Sequence, residues 1–236
     1  MQTDPKAFGQ EYFERIYRRY EAQNPLYKLA FYQRLVSHWA PACVQPRILD
    51  MGCAFGTFLA CLDSRWSKYG VDISDYAIAI AREKAPEAAF AEAGCTESPF
   101  KGPFEAIVSF DVLEHVPDLE PVAAYVCEAL APEGVFVFVV PVYDGPLGWL
   151  VNLLDPDPTH IHKRSRKFWL SWAGKHFQVE EWRGIFRYLL PHGPYVNWPT
   201  RWWRYQAPAI AVVARKCSSG PVTGNNDQTT EDRRRR

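Results

Sequence analysis

Two histidines close to acidic residues are the sequence feature best suited to proton transfer. His160 and His162 stand at alternate positions of a segment that also contains Asp155 and Asp157. Alternate residues of an extended segment share one face, and imidazole is the side chain whose unperturbed pKa lies nearest neutral pH. One of the two histidines is therefore expected to act as a general base, with His160 slightly favoured, and an aspartate is expected to orient it.

The same histidine spacing has two further interpretations. Two imidazoles on one face could ligate a metal ion, but no third ligand is evident nearby, so the sequence predicts no metal site. Alternatively, the histidine that points away from an acceptor could hydrogen-bond to backbone and hold the loop. Pro156 and Pro158 restrict this segment so strongly that only one of the two aspartates is expected to reach an imidazole.

A turn of small residues follows the first predicted strand, which ends in an acid. Small residues at positions 52, 54 and 56 let backbone pass close to a ligand, and glycine adopts positive φ without steric cost. The residues expected to bind a ligand here are Asp50, Gly52, Cys53, Ala54 and Gly56. The third glycine of the dinucleotide pattern G-x-G-x-x-G would fall one residue later, so a nucleotide-dependent oxidoreductase is disfavoured.

A second acid, Asp72, ends the next predicted strand and lies 22 residues beyond Asp50 (72 − 50). A carboxylate at such a strand end can accept hydrogen bonds from both hydroxyls of a ribose. Ile73 follows it and is included among the expected binding residues. The alternative is that Asp72 caps a helix or ends the strand in solvent.

Four motifs, taken together and in order, resemble the class I S-adenosylmethionine-dependent methyltransferases. They are residues 48–57, the strand end at Asp72, residues 109–116 and residues 130–134, and the resemblance runs from about residue 48 to residue 140. Ala54 departs from the family pattern, since a glycine usually stands there. In style the chain is most similar to the small-molecule enzymes of the group that includes the ubiquinone-biosynthesis O-methyltransferases.

The resemblance implies roles for several residues. Asp50 would lie beneath the methionine amino group of the cofactor, acting through water or backbone. Phe110 or Asp111, after the fourth strand, would approach the methionine end. Glu114 and His115 would begin a helix and are expected to be structural.

Adenine recognition is where the chain departs from the family. Members usually place an acid near the end of the third strand, and Gly94 stands at that position. Adenine is then expected to contact the backbone around Cys95 and Thr96, or else Glu92 or Glu97 in a shifted register.

Apolar runs alternating with helical segments predict a parallel sheet that is covered on both faces. The strands are predicted at residues 47–50, 68–72, 88–93, 106–110, 135–140, 177–186 and 210–214. Too few residues separate the last two for a crossover helix, so an antiparallel end is expected. The predicted fold is Rossmann-like α/β, with a seven-stranded, mostly parallel sheet, one antiparallel strand and an N-terminal helical lid.

One methyltransferase domain is predicted over residues 1–216. Residues 1–40 would form the lid, in which Tyr12, Tyr17 and Tyr20 recur at helical spacing. Residues 47–140 would bind the cofactor, and residues 141–216, which hold seven of the nine tryptophans, would bind the acceptor and close the sheet. Residues 217–236 are almost without apolar side chains and are expected to be disordered.

Composition excludes several classes of protein. A chain of 236 residues that is 47% hydrophobic and 23% charged suits one globular domain with a sizeable core. Lys+Arg and Asp+Glu both total 27, which argues against long nucleic acid as a partner. The longest apolar run, at residues 135–143, is too short to span a membrane, and six scattered cysteines suit a reducing compartment, so a cytoplasmic location is expected.

The predicted function is therefore methyl transfer from S-adenosylmethionine to a small organic acceptor, with a hydroxyl oxygen preferred. The Asn/Asp-Pro-Pro-aromatic tetrapeptide of many amino-methylating enzymes is absent after the fourth strand. A C-terminal cluster interleaves arginines with Trp198, Trp202 and Trp203. This cluster could contact an aromatic or apolar acceptor, a bilayer surface or a protein partner, or it could simply pack within the fold. The alternative function is a non-catalytic binding module that keeps the methyltransferase fold and partners another protein; oligomeric state is left open.

Overall fold

The computed structural model describes residues 8–16, 20–146, 148–155, 157–189 and 195–216. Tyr17, Pro156 and the predicted tail over residues 217–236 lie outside the described residues. Within the described part of the chain, the helices are all too short or too polar to cross a membrane.

Helices and strands alternate through the first two thirds of the chain, as the sequence pattern predicts. The strands are β1 (Arg47–Met51), β2 (Ser67–Asp72), β3 (Ala89–Glu92), β4 (Phe104–Phe110), β5 (Leu130–Pro141), β6 (Phe177–Leu189), β7 (Tyr195–Thr200) and β8 (Ala209–Lys216). The helices are α1 (Gln10–Ile16), α2 (Tyr20–Gln23), α3 (Leu26–Trp39), α4 (Thr57–Cys61), α5 (Asp75–Lys84), α6 (Leu119–Ala129), α7 (Gly148–Leu154) and α8 (Arg166–His176). The side chains of Ser74, Asp118 and Ser165 each accept a backbone N–H from the first turn and so fix where α5, α6 and α8 begin.

The described strands form one sheet in the order β3-β2-β1-β4-β5-β8-β6-β7. The ladders among β1 to β5 are parallel, whereas β8 pairs antiparallel with both β5 and β6. The predicted α/β class with a mostly parallel sheet is therefore confirmed. The parallel arrangement brings the carboxyl ends of β1, β2, β3 and β4 to one edge of the sheet. Ligands bind at this edge in folds of this class.

The predicted strand count is wrong, because the sheet has eight strands and two of them, β7 and β8, run against the rest. Strand β7 pairs with β6 alone and lies at the sheet edge. It contains Pro199, which lacks a backbone N–H and is tolerated in a strand mainly at such an edge. The strand was not predicted because the proline and the tryptophans of this segment interrupt the apolar pattern that is typical of a strand.

Strand β5 lies at the centre of the hydrophobic core. Its residues from Val135 to Val140 are all fully buried, and alternate residues point to opposite faces of the sheet. Val137 packs in the cluster that contains α3, α4 and α5 residues. Phe136 and Phe138 pack in the cluster that contains α6 and α8 residues. Helices on both faces, as predicted, explain why this strand is a continuous apolar run.

The N-terminal helices separate into two environments. Tyr32 and Val36 of α3 are 1% and 0% exposed, so α3 is part of the main core. Phe13 of α1 instead lies 4.8 Å from Phe55, ring centre to ring centre, beside the turn that follows β1. Helical structure is confirmed over α1 to α3, while closure of these helices as a lid is not confirmed and stays a prediction.

Candidate active site

A cavity of about 970 Å³ opens at the carboxyl ends of β1 to β4. Ten of the residues that the sequence predicts for the site line it: Asp50, Gly52, Cys53, Ala54, Asp72, Ile73, Cys95, Phe110, Asp111 and His160. Two predicted residues, Gly56 and His162, do not line it. Trp198, Trp202 and Trp203 are exposed and also lie away from the lining. The cavity is large enough for a cofactor and a small acceptor together.

The turn after β1 is shaped by positive φ angles. Gly52 has φ +77°, and a Cβ built on it would lie 2.2 Å from a methyl of Val112, so no other residue fits there. Ala54 has φ 44° and is held in this uncommon conformation by donating its N–H to Asp72. Gly56, with φ +66°, begins α4 and packs against α5 and β3, which accounts for its place outside the cavity lining.

Asp72 organises the second loop and still faces the cavity. Its Oδ2 accepts the N–H of Ala54 at 2.9 Å, and its Oδ1 accepts the N–H of Ser74 at 3.0 Å. Each carboxylate oxygen can accept a second hydrogen bond, so both retain capacity toward a ligand. Ser74, rather than Asp72, caps α5, so the capping alternative does not account for Asp72.

Asp50 is a buried acid at the end of β1, with 3% of its surface exposed. Burial, and then the nearby charge of Asp72, raise the pKa of Asp50 to about 8. The carboxyl is therefore largely protonated at neutral pH. A cation bound beside it would favour the ionised form, which suits the predicted place of the methionine amino group.

The connection after β3 lines the opposite wall of the cavity, with Glu92, Gly94, Cys95, Thr96 and Glu97. A Cβ added to Gly94 would make ordinary contacts with Glu97 at 3.8 Å and Ile73 at 4.0 Å, so the position could hold a side chain but supplies no acid. Burial, and then the charge of Asp72, raise the pKa of the Cys95 thiol to about 12. The thiol therefore stays protonated, and the assignment of adenine to this wall stays a prediction.

His160 lies at the far end of the cavity and is oriented by an acid. Its Nδ1 is 2.8 Å from Oδ2 of Asp155, which also accepts the hydroxyl of Tyr143 at 2.7 Å and pairs with Lys163 at 3.0 Å. Burial opposes ionisation of Asp155, but the hydrogen bonds from His160 and Tyr143 prevail and lower its pKa to about 2. The other ring nitrogen, Nε2, lies 4.0 Å from Oε1 of Glu114 and is turned toward the cavity.

His162 points elsewhere, although it is only two residues away. Its Nε2 donates a hydrogen bond to the carbonyl oxygen of Val116 at 2.8 Å, and its ring stacks near Phe168 at 6.2 Å. These contacts fit the alternative in which one histidine holds the loop. The two rings diverge because the segment turns, with the His160 N–H directed at the carbonyl of Asp157.

Glu114 and His115 are placed in the site although the sequence suggested only a structural role. They form a short 3₁₀ helix (Leu113–His115), and Glu114 is fully buried with neither carboxylate oxygen hydrogen-bonded within the described residues. Burial, and then the charge of Asp111, hold the pKa of Glu114 well above its usual value. Burial, and then His160, lower the pKa of His115 to about 4.

The sequence predicted no metal site because it showed no third ligand. Glu114 and His115 supply further potential ligands beside His160. Ligand atoms of Glu114, His115 and His160 all lie within 4.8 Å of one another, so the three together could hold a metal ion. The sequence could not show this set, because His115 follows β4 and His160 follows β5. Their adjacency arises only from the parallel arrangement of the two strands.

A second group that the sequence did not single out lies beside Asp111. Lys28, Tyr32, Arg187 and Tyr195 all line the cavity, and the guanidinium of Arg187 forms an ion pair with Asp111. These residues come from α3, β6 and β7, which lie far apart in the chain. No sequence spacing could have indicated that they meet.

Residues 15–209 match the family model described as a methyltransferase domain. The chain belongs to this methyltransferase family. Its domain is an S-adenosylmethionine-dependent methyltransferase domain, with S-adenosylmethionine as the cofactor. The residues described above fit that cofactor: Asp72 has unused acceptor capacity, the backbone of Gly52 lines the cavity without a side chain, and Asp50 is poised to ionise next to a cation.

Two relatives of this methyltransferase domain carry the name trans-aconitate 2-methyltransferase. The protein from Escherichia fergusonii is 26% identical over 175 residues, and the match covers 65% of this chain and 65% of that protein. The protein from Variovorax paradoxus is 27% identical over 213 residues, which cover 84% of this chain and 75% of that protein. The narrower resemblance to the ubiquinone-biosynthesis group is not confirmed by these matches.

A solved structure supports the same fold. An S-adenosylmethionine-dependent methyltransferase from Thermotoga maritima aligns with a TM-score of 0.62 at 16% identity, over 87% of this chain and 98% of that one. At this identity the likeness establishes the fold alone. The acceptor has to be argued from the cavity of this methyltransferase.

Proposed function

We propose that this protein transfers a methyl group from S-adenosylmethionine to a hydroxyl oxygen of a small organic acceptor, with His160 as the general base. The observation that carries this proposal is the hydrogen bond between His160 and Asp155, both of which line the cavity. A small-molecule acceptor and a cytoplasmic location belong to the same proposal.

The cofactor would be held through both of its ends. Asp72 would accept the ribose hydroxyls, and Asp50 would lie by the methionine amino group, with Gly52, Cys53 and Ala54 along the turn between them. The wall from Glu92 to Glu97 would receive adenine, including the backbone at Cys95. When bound, S-adenosylmethionine supplies a methyl group that its sulfonium already activates.

His160 would take the proton of the acceptor hydroxyl. With Nδ1–H donated to the ionised Asp155, the lone pair of Nε2 is left facing the cavity. The acceptor oxygen would take the methyl group in place of its proton. That proton would pass to Nε2 of His160 and then to solvent, and it would carry away the positive charge that the cofactor loses. The walls hold the acceptor oxygen in line, an effect worth roughly 7 to 11 kcal/mol of the barrier.

Methyl transfer to a carboxylate oxygen is the second candidate, because the two relatives are named for an acid, trans-aconitate. A carboxylate is already deprotonated at neutral pH and has no need of a base. The oriented His160 favours a hydroxyl over a carboxylate for this reason.

The proposal is tested by measuring S-adenosylhomocysteine release over a panel of hydroxylated compounds and carboxylic acids. We expect turnover with hydroxylated acceptors, and a loss of roughly 10²- to 10⁴-fold in His160→Ala with cofactor affinity retained. His38→Ala, an exposed histidine outside the cavity, is the matched control. Turnover of carboxylic acids alone, with His160→Ala at full rate, would establish the second candidate. Cofactor binding without release for any acceptor would instead support the non-catalytic module.

A further inference from the structure

Lys28 is a buried cation that forms no ion pair with an acid among the residues that the structure describes. Its side chain lies in the cavity wall with 6% of the residue exposed. The Nζ atom contacts only neutral oxygens, the carbonyl of Gln23 at 3.2 Å and Oδ1 of Asn24 at 3.1 Å. Among the ion pairs of the described residues, none includes Lys28. A buried charge that is solvated only by neutral groups is unfavourable, so the site is incomplete without an anion.

Tyr32 supplies a second, independent indication at the same place. The residue is 1% exposed, and its hydroxyl has no hydrogen-bond partner within the described part of the chain. Its ring stacks on Phe110 with 4.4 Å between centroids, and Lys28 Nζ lies 5.8 Å from the ring centre. Buried hydroxyls are nearly always hydrogen-bonded in native proteins, so an acceptor is expected to meet this one.

The charges around this point leave a positive excess. Asp111 is paired with Arg187, so their charges cancel and Lys28 remains. Burial lowers the pKa of Lys28 to about 8, a change that Asp111 opposes and Arg187 reinforces, and the amine is still largely charged at neutral pH. Lys28 Nζ also lies 5.1 Å from the ring centre of Tyr195, which lines the same cavity.

We propose that Lys28 and Tyr32, supported by Arg187, form a carboxylate-binding subsite in the cavity. The ammonium and the phenolic hydroxyl both donate hydrogen bonds, and a carboxylate offers two oxygens to receive them. Arg187, which pairs with Asp111 and also hydrogen-bonds the Tyr195 side chain, would support the subsite through its charge.

Two carboxylates could occupy it, and this inference rests on the proposed function. Phe110 ends β4 and Asp111 follows it, where the methionine end of the cofactor is expected, so the methionine carboxylate is one source. Asp111 and His160 line the same cavity, and the charge of His160 helps to lower the pKa of Asp111, so a carboxylate on the acceptor is the other source. The chemistry of recognition is the same in both cases.

Calorimetry on the full chain separates the two sources. The first arm compares S-adenosylhomocysteine with its decarboxylated analogue, in the wild type and in Lys28→Met. If the cofactor carboxylate binds here, Lys28→Met should weaken S-adenosylhomocysteine roughly 10- to 100-fold, as expected for a lost charged hydrogen bond, and leave the decarboxylated analogue unchanged. The second arm titrates trans-aconitate and its trimethyl ester into protein saturated with S-adenosylhomocysteine. If an acceptor carboxylate binds here, Lys28→Met should weaken the affinity for trans-aconitate and leave that for the ester unchanged.

Further variants keep the result interpretable. Tyr32→Phe removes only the hydroxyl and should give a smaller loss in the same arm, while Lys175→Met, an exposed lysine on α8, should change neither arm. Circular dichroism checks that each variant is folded. A loss in either arm supports the subsite and identifies its ligand, whereas folded Lys28→Met and Tyr32→Phe with unchanged affinities in both arms would overturn it. Failure of the wild type to bind S-adenosylhomocysteine would count against the proposed function instead.

Discussion

The Nδ1 atom of His160 lies 2.8 Å from Oδ2 of Asp155, and this contact depends on a tight turn between them. The N–H of Asp157 is donated back to Asp155 at 3.1 Å, and the N–H of Thr159 to Asp157 at 2.9 Å. These bonds curl the segment so that the imidazole meets the carboxylate. The acid thereby fixes which ring nitrogen carries the proton and leaves the other toward the cavity.

Asp155→Asn should lower kcat by roughly 10²- to 10⁴-fold, because an amide can hold the imidazole in the wrong tautomer. Cofactor affinity should be retained, since Asp155 lies away from the residues assigned to the cofactor. Single-turnover rates provide the measurement, and Asp63→Asn, an exposed aspartate, is the control. An unchanged rate in Asp155→Asn would remove the acid from the mechanism.

Asp72→Ala should weaken S-adenosylhomocysteine roughly 10- to 100-fold, because a charged acceptor for the ribose is lost. It should also lower the melting temperature, since the N–H groups of Ala54 and Ser74 lose their acceptor. Ser74→Ala separates the two effects, because it removes the cap of α5 at a cost of about 1 kcal/mol without touching the carboxylate. If Asp72→Ala is destabilised but binds the ligand as tightly as the wild type does, Asp72 is structural.

Cofactor binding should depend on pH through Asp50. Burial raises the pKa of Asp50 to about 8, so binding next to a cationic amino group must release a proton below that pH. Affinity for S-adenosylmethionine should therefore rise as the pH increases from 6 toward 8 and then level off. The Asp50→Asn variant has no carboxyl at this position, although the amino group of the ligand still titrates. The rise in affinity between pH 6 and 8 that Asp50 causes should therefore be absent in this variant. Identical pH profiles for the two proteins would contradict the assignment.

Removing residues 1–24 should speed cofactor release and reduce turnover. The hydroxyl of Tyr12 donates to Oδ2 of Asp157 at 2.7 Å, which ties the N-terminal segment to the loop that carries His160. Deleting all of the first forty residues would also remove α3, which belongs to the core, and so would unfold the protein. Stopped-flow release of S-adenosylhomocysteine measures the effect, and Tyr12→Phe tests the single bond. A folded truncation with unchanged release and turnover would make these residues accessory.

The parts of the fold that local sequence specifies were predicted well. Strand β2 was expected over residues 68–72 and lies at Ser67–Asp72, and Ser74, a residue type typical of helix caps, precedes α5. Apolar runs and capping residues act over a few neighbouring positions, so a sequence displays them directly. Strand β7 was missed because its pairing with β6 depends on the edge of a sheet that is already formed.

Site residues at the ends of predicted strands were predicted correctly. Site residues that come together from distant elements of the chain were missed. Asp50 and Asp72 are the last residues of two predicted parallel strands, and this position puts both of them at one edge of the sheet. Lys28 and Arg187 are brought together only by packing of α3 against the end of β6, and no spacing encodes that meeting. The sequence favoured His160 only slightly over His162 because it assumed an extended segment, whereas the chain turns there and separates the two rings.

Transfer of a labelled methyl group tests the central claim most directly. The enzyme would be incubated with S-adenosylmethionine carrying ¹³C in its methyl group and with the acceptor found by the release assay, and the product would be analysed by NMR. The account predicts that the labelled carbon is bonded to a former hydroxyl oxygen, as an ether, and that His160→Ala forms this product far more slowly than His38→Ala does. A labelled methyl on nitrogen, carbon or a carboxylate oxygen would contradict it.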